Sequence, residues 1–483
     1  MARTPLAYAR ILLALLLAVN LYRAATISVS TDEAYTYNRS VSVPIPELWK
    51  TFDANDHVLH TLLCKVSIRL FGVSEFSLRI PALLGGLLLL AMCLRLCRLL
   101  FGDTWRMLLA FSLLALNPFI LDYCSVARGY GLATALFLTA LDQLLRLLPT
   151  PTDLHRLYIA GIALALGVTA NLTIVIPGIA LTIVFAMLFL GPPLLERHWP
   201  RFRVRTDALL DRMIVPGVIL STAILLVPLL PAKKEHFYLG SDNWKSSLLS
   251  LAYANLWRPL NPLEHTPLHE PVMAIVESIA IPLPIAILTL ALYRWRRNRE
   301  PLRALLTFTA IASFTLLAAL NATLGMRLPE RRTGLYLVPL LTLLAVFILD
   351  EIRWTRHIGN AAAALTLLQF LLSFNVRYYD EWNFDAGCRQ LVQYLRDHAP
   401  PPGRRVSLHA TFPLPHSVEF YRRYFGLEWL DVSREIEARR PHDVYLLTPE
   451  ELPLMQKLNL TERYVQPISN ITLATAASSP LQP

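Results

Sequence analysis

"LAYARILLALLLAVNLYRAATISVSTDEAYTY", residues 6–37, sets a greasy stretch directly against two adjacent carboxylates, Asp32 and Glu33, and two tyrosines, Tyr35 and Tyr37. The apolar part is close to the ~20 residues that a membrane-spanning helix needs. It also resembles a secretory leader, with Arg3 and Arg10 at its start and Ala24 and Ala25 near its end. The rest of the chain decides between the two. Of 483 residues, 54% are hydrophobic and only 17% charged, and the mean hydropathy is +0.44. A soluble chain of that length needs far more polar surface. The sequence therefore reads as an α-helical polytopic membrane protein, with residues 6–28 as a retained first helix and the N-terminus in the cytoplasm.

Long apolar runs follow near 79–99, 106–121, 130–148, 157–170, 172–192, 213–231, 272–293, 302–322, 335–350 and 357–375, which gives about eleven transmembrane helices in all. With the N-terminus inside, every second loop is cytoplasmic. Those loops hold Arg95, Arg98 and Arg106, then Arg146 and Arg156, "ERHWPRFRVR", "RWRRNREPLR" and "RWTR". The lysines fall on the other side. This arginine bias follows the positive-inside rule. It accounts for most of the formal net charge of +10 without any nucleic-acid partner. The five cysteines show no CxxC spacing and read as small buried apolar residues.

The extracytoplasmic side then carries a first outer loop at 29–78, "DYCSVARG" at 122–129, a loop at 232–271, and "NATLGMRLPERRTG" at 321–334. The loop at 232–271 includes His265 and His269 and is a candidate lid. Domain 1–375 is expected to be the transmembrane part. Residues 376–483 change character. "DAGCRQLVQYLRDH" is an amphipathic helix, "RVSLHA" and "DVYLLT" are strands, and "SVEFYRRYFG" and "PEELPLMQKL" are helical. The alternation predicts a small α/β extracytoplasmic domain. Its last stretch, "TLATAASSPLQP", reads as disordered.

Asp32 and Glu33 admit two readings. They are either a solvated polar end to a helix, or a general base at the membrane surface. From His57 onward, Val58, Leu59, Leu62, Leu63, Val66 and Leu70 keep helical spacing, which suggests a helix lying along the membrane with Asp56 and His57 at its start. Pro118 ends or bends the third helix, and Asp122, Arg128 and Tyr130 follow it on the outer side. Arg128 is either paired with Asp122 or available to grip a phosphate. Arg327, Arg331 and Arg332 precede an apolar helix, with Tyr336 one turn in. Cations at headgroup level beside a lipophilic path suit a lipid phosphate.

The motifs "TDEAYTY", "NDHVLHTLL", "NPFILDYCSVARGYGLA" and "ERRTGLYLVPLL" resemble those of the GT-C glycosyltransferases. The chain is similar to the group of dolichyl-phosphate-mannose protein mannosyltransferases and aminoarabinose transferases, glycosyltransferase family 39. The resemblance implies that Asp32 is the catalytic base, with Glu33 as its acidic neighbour. It implies that His57 matches a histidine that protein mannosyltransferases follow with two prolines. Val58 and Leu59 stand there instead, so protein-mannosyltransferase specificity does not carry over, and Lys65 corresponds only loosely to the family's lysine.

The expected activity is inverting transfer of a sugar from a polyprenyl-phosphate donor, its phosphate held by Arg331 or Arg332 with Arg128. The acceptor is a protein, lipid or glycan. No metal ligand set is evident, and a divalent cation at the acid pair is the one cofactor candidate. The competing reading is a transporter or flippase for lipid-linked sugars. It calls for polar residues at mid-membrane depth, where Asp142 is the main acid. No internal repeat supports it.

Overall fold

The computed structural model describes residues 4–53, 55–257, 266–350, 355–433 and 441–481. His265 and part of the candidate lid therefore lie outside the described residues. Every apolar run picked out from the sequence carries a helix. The chain divides into two compact units.

The first unit comprises Met1–Asn20, Trp49–His60 and Pro81–Phe374. Among the described residues of the whole chain, six helices are long and apolar enough to cross a bilayer: Pro5–Thr26, Glu75–Phe101, Leu172–Leu195, Trp199–Leu229, His269–Asn298 and Pro301–Leu324. Four shorter apolar helices, Trp105–Ala115, His155–Ala170, Leu337–Leu349 and Gly359–Ser373, accompany them. Val175–Leu195 is rich in isoleucine and valine, which in water favour strands. In lipid each backbone polar group must be satisfied within its own segment, and a helix does that. Leu15, Met187, Ile219 and Leu371 are exposed on these helices, as lipid-facing side chains are.

Several polar residues inside this unit pair around Asp142. The Asp142 carboxylate is fully buried and lies 2.8 Å from Arg95 Nε and 2.9 Å from Arg146 Nε. Gln143 donates to it as well, and Arg156 donates to Gln143. Close helix packing depends on small residues. A Cβ on Gly86 would sit 2.4 Å from the Cys124 carbonyl oxygen, so only glycine fits. All five cysteines are free and buried.

The second unit comprises Leu21–Leu48, Thr61–Ile80 and Asn375–Pro483. Its sheet has five strands: β1 (Val406–Ala410), β2 (Leu430–Val432), β3 (Val444–Leu447), β4 (Thr461–Val465) and β5 (Thr472–Thr475). Their order is β2-β1-β3-β5-β4. β1 runs parallel to β2 and β3, while β5 runs antiparallel to β3 and β4. The amphipathic helices Cys388–Asp397 and Pro415–Tyr424 bury Leu391, Val392, Leu395, Val418 and Phe420 in the core. Disorder was expected from Thr472 onward, and the structure corrects this: Thr472–Thr475 is a fully buried strand. Its single leucine between small residues gives a weak apolar signal, and pairing on both edges supplies the order. β4, "TERYV", is mostly exposed and left no apolar alternation to read.

Candidate active site

In the second unit, the acid pair sits on a short helix, Thr31–Thr36, that continues as one π turn, Tyr37–Val41. The Glu33 carboxylate closes the start of its own helix by accepting the Ser30 N–H at 2.8 Å, half of a capping box. Glu33 is fully buried, and so is its partner Arg79. The guanidinium grips both carboxylate oxygens, Nε to Oε1 at 2.8 Å and Nη2 to Oε2 at 2.7 Å. It also donates to the carbonyls of Ala24, Ile27 and Ser28. One arginine thus satisfies the orphan carbonyls around the end of Pro5–Thr26 and fixes the acidic helix by a fork-to-fork bond. The Tyr379 ring lies 5.0 Å from its guanidinium carbon.

Asp32, next to Glu33, is half-buried. Tyr35, one turn on, meets His416 edge to face and accepts from Arg39. Lys65 donates to the carbonyls of Ser40, Val41 and Val43 and so closes the far end of the π turn. At the near end, the Thr31 N–H and hydroxyl both donate to Asp385 Oδ2. Ser417 donates to the same oxygen at 3.3 Å. Burial pushes the Asp385 carboxyl up to about 7, while the Thr31 hydrogen bonds pull it down.

In the first unit, the structure brings His57, Arg128, Tyr130 and Arg332 together. Asp56 accepts the Asp53 N–H at 3.1 Å, and Asp53 accepts that of Asn55; this tight turn delivers a buried His57. The His57 ring stands edge-on to Tyr130, centroids 4.8 Å apart, and Tyr130 meets Tyr123. The Arg332 guanidinium carbon is 6.0 Å from the Tyr130 ring centre. Arg128 is fully buried and donates to Asn55 Oδ1. Asp122 ends the helix Pro118–Asp122 and is buried.

His57 has one defined tautomer. Asn171 Oδ1 accepts the Thr173 N–H at 2.9 Å. Its amide nitrogen therefore faces His57 Nδ1, at 3.0 Å, and donates to it. The ring proton then belongs on Nε2, which is buried and has no hydrogen-bond partner among the described residues. Burial lowers the His57 pKa well below its usual value, and the charges of Arg128, His60 and Arg332 lower it further. The site thus presents a neutral N–H donor to whatever occupies it. Gly129 keeps this corner open: a Cβ there would lie 2.1 Å from the Ala170 carbonyl oxygen and 2.9 Å from His57 Cβ. Gly129→Ala is expected to cost about 1–3 kcal/mol of stability by overpacking, read as a lowered thermal midpoint.

Arg331 and Arg332 lie in the turn Arg331–Gly334. Arg331 is exposed, with a left-handed φ of 42°, and its N–H donates to Ser250 Oγ. The loop before them is braced by a two-way backbone bridge between Ser241 and Leu328 and by Ser247 donating to the Pro329 carbonyl. Tyr336 is buried between this turn and the helix Leu337–Asp350. Among the described residues, no three His, Cys, Asp or Glu side chains gather as a cation-holding group. Both Glu33 oxygens are engaged by Arg79, so Glu33 is not placed to serve as a cation ligand.

Residues 57–210 match the family described as dolichyl-phosphate-mannose-protein mannosyltransferase. Two solved structures of ArnT from Cupriavidus metallidurans align over 99% of this chain and 99% of theirs, at 14% identity. The apo state gives a TM-score of 0.54, and the one bound to undecaprenyl phosphate gives 0.56. The chain has the fold of these ArnT structures. No curated protein sequence matched. The family match opens at His57 and takes in Asp122, Arg128, Tyr130 and Asn171, while Asp32, Glu33, Arg331 and Arg332 lie outside it.

The sequence reading missed Arg79, Asn55, Asn171 and Asp385. Arg79 had a visible signal, a lone arginine heading an apolar run. Asn171, at a hairpin, and Asp385, in the tail, had none.

Proposed function

We propose that the chain is an integral membrane glycosyltransferase that moves a sugar, with inversion, from a polyprenyl-phosphate donor to an acceptor on the extracytoplasmic side. The observation that carries this reading is the split within the acid pair. Glu33 is committed to Arg79 and Ser30, whereas Asp32 beside it stays half-buried on the same rigid turn. A base held this way suits proton removal from a nucleophile. The ArnT structure with undecaprenyl phosphate supports the donor class.

In the proposed reaction Asp32 takes the proton of the acceptor hydroxyl or amine. The acceptor atom bonds to the anomeric carbon, and the bond from that carbon to the phosphate oxygen breaks. Polyprenyl phosphate leaves with the electron pair. Arg332, Arg331 and Arg128 stabilise the leaving phosphate. His57 Nε2–H donates to a donor oxygen. Asp56, Asp122, Tyr130 and Tyr336 shape that region. The phosphate is already a good leaving group, so no separate general acid is required. The reading goes with eleven spans in the cell membrane, a cytoplasmic N-terminus, and residues 376–483 as an extracytoplasmic domain. It is favoured over a flippase because Asp142 is closed off by Arg95 and Arg146.

The test is incubation with a panel of undecaprenyl-phosphate hexoses and pentoses in membranes that supply acceptors. Release of undecaprenyl phosphate from at least one member is expected. Release from none would sink the reading. Asn171→Leu removes the bond that fixes the His57 tautomer, and about a tenfold loss in kcat/KM is expected, measured in the same assay.

A further inference from the structure

The acidic helix is held at both ends by different means. Glu33 and Arg79 fix its underside, and Lys65 closes the π turn that extends it. Its first residue, Thr31, is held from a part of the sequence more than 350 residues away. The Thr31 N–H and the Thr31 hydroxyl both point at one oxygen of Asp385. Ser417, at the start of the helix Pro415–Tyr424, donates to that oxygen too, and its hydroxyl lies 3.4 Å from that of Thr31. All three side chains are buried.

A carboxylate is costly to bury, and protein interiors keep one only where its hydrogen bonds have a purpose. Here two of its three hydrogen bonds come from the residue directly before Asp32. The first N–H groups of a helix have no partner inside the helix. Asp385 supplies one for Thr31 and so fixes where the helix begins. A six-residue helix is too short to be stable on propensity and depends on such anchors. A shift of one residue in its start would turn Asp32 by about 100° around the helix axis.

We propose that Asp385 is a positioning residue for Asp32. With Ser417 it forms a clamp through which the C-terminal residues set the register of the acidic helix. This gives the C-terminal α/β region an indirect part in the reaction, through the placement of Asp32. The proposal rests on the reading of Asp32 as base.

Two measurements on the full-length protein in lipid nanodiscs test it. One is amide hydrogen exchange of peptides covering residues 28–36. The other is kcat and KM for release of undecaprenyl phosphate from the undecaprenyl-phosphate sugar that wild type turns over best. In Asp385→Ala, exchange over 28–36 is expected to rise roughly tenfold, with residues 129–147 unchanged. The value of kcat is expected to fall about 10- to 100-fold through misplacement of the base, with KM nearly constant. Asp385→Asn keeps an oxygen for the Thr31 N–H and recovers most of the rate. Unchanged exchange in Asp385→Ala overturns the proposal. So does faster exchange with full kcat, or a loss carried by KM.

If Asp385→Ala does not fold, Thr31→Val and Ser417→Ala each remove a single hydroxyl. A smaller drop in kcat at constant KM then supports the clamp, and no drop overturns it. Wild type that releases undecaprenyl phosphate from no sugar overturns the transferase reading instead, and the exchange measurement then decides the clamp by itself.

Discussion

Arg79→Met is expected to destabilise the protein by about 3–5 kcal/mol, because it leaves a buried carboxylate without its cation. Glu33 and Arg79 are both fully buried, so water cannot replace the lost partner. The same substitution orphans the carbonyls of Ala24, Ile27 and Ser28, which Arg79 also serves. An unpaired buried carbonyl has its own penalty. The measurement is the thermal midpoint in detergent, together with the yield of monodisperse protein. Glu33→Gln is expected to fall in the same direction, by less, since an amide keeps one acceptor oxygen. The double variant Glu33→Met with Arg79→Met removes both charges at once. It is expected to regain much of the stability lost in Arg79→Met, because a buried ion pair of this kind is often no stronger than an apolar pair of similar volume. A double variant as unstable as Arg79→Met would instead assign the damage to the three carbonyls.

The pair also illustrates what the sequence made legible. Helix positions were readable because apolar runs are local. The run at 79–99 became part of Glu75–Phe101, and that at 302–322 became Pro301–Leu324. The strands β1 and β3 were readable because "VSLHA" and "VYLL" concentrate apolar and β-branched residues. β5 was not, because the order of "TLAT" comes from its two neighbours in the sheet. At the candidate site, residue types were readable and partnerships were not. Asp32 and Glu33 look equivalent in "TDEAYTY". Their separation depends on Arg79, 46 residues further on, and on where its side chain turns. His57 was a candidate from its place at the head of an apolar helix. Its tautomer depends on Asn171, 114 residues away. No periodicity encodes such pairings, since they arise only when segments distant in sequence pack together.

That separation gives the second large effect. Asp32→Asn is expected to reduce kcat for undecaprenyl phosphate release by about 10²–10⁴-fold, the usual worth of a general base. Its thermal midpoint is expected to stay close to that of wild type, because Asp32 is half-buried and Asn keeps its size. Binding of undecaprenyl phosphate itself is expected to persist, since the arginines proposed for the phosphate are untouched. The two neighbouring acids should therefore fail in different ways. Asp32→Asn gives a folded, product-binding protein without turnover, and Glu33→Gln gives a protein that is first of all less stable. Asp32→Glu keeps a carboxylate but moves it by one methylene, so a partial loss is expected, smaller than that of the amide. Full activity in Asp32→Asn would remove Asp32 from the mechanism. It would also mean that the acidic helix serves only the packing that Arg79 and Glu33 provide.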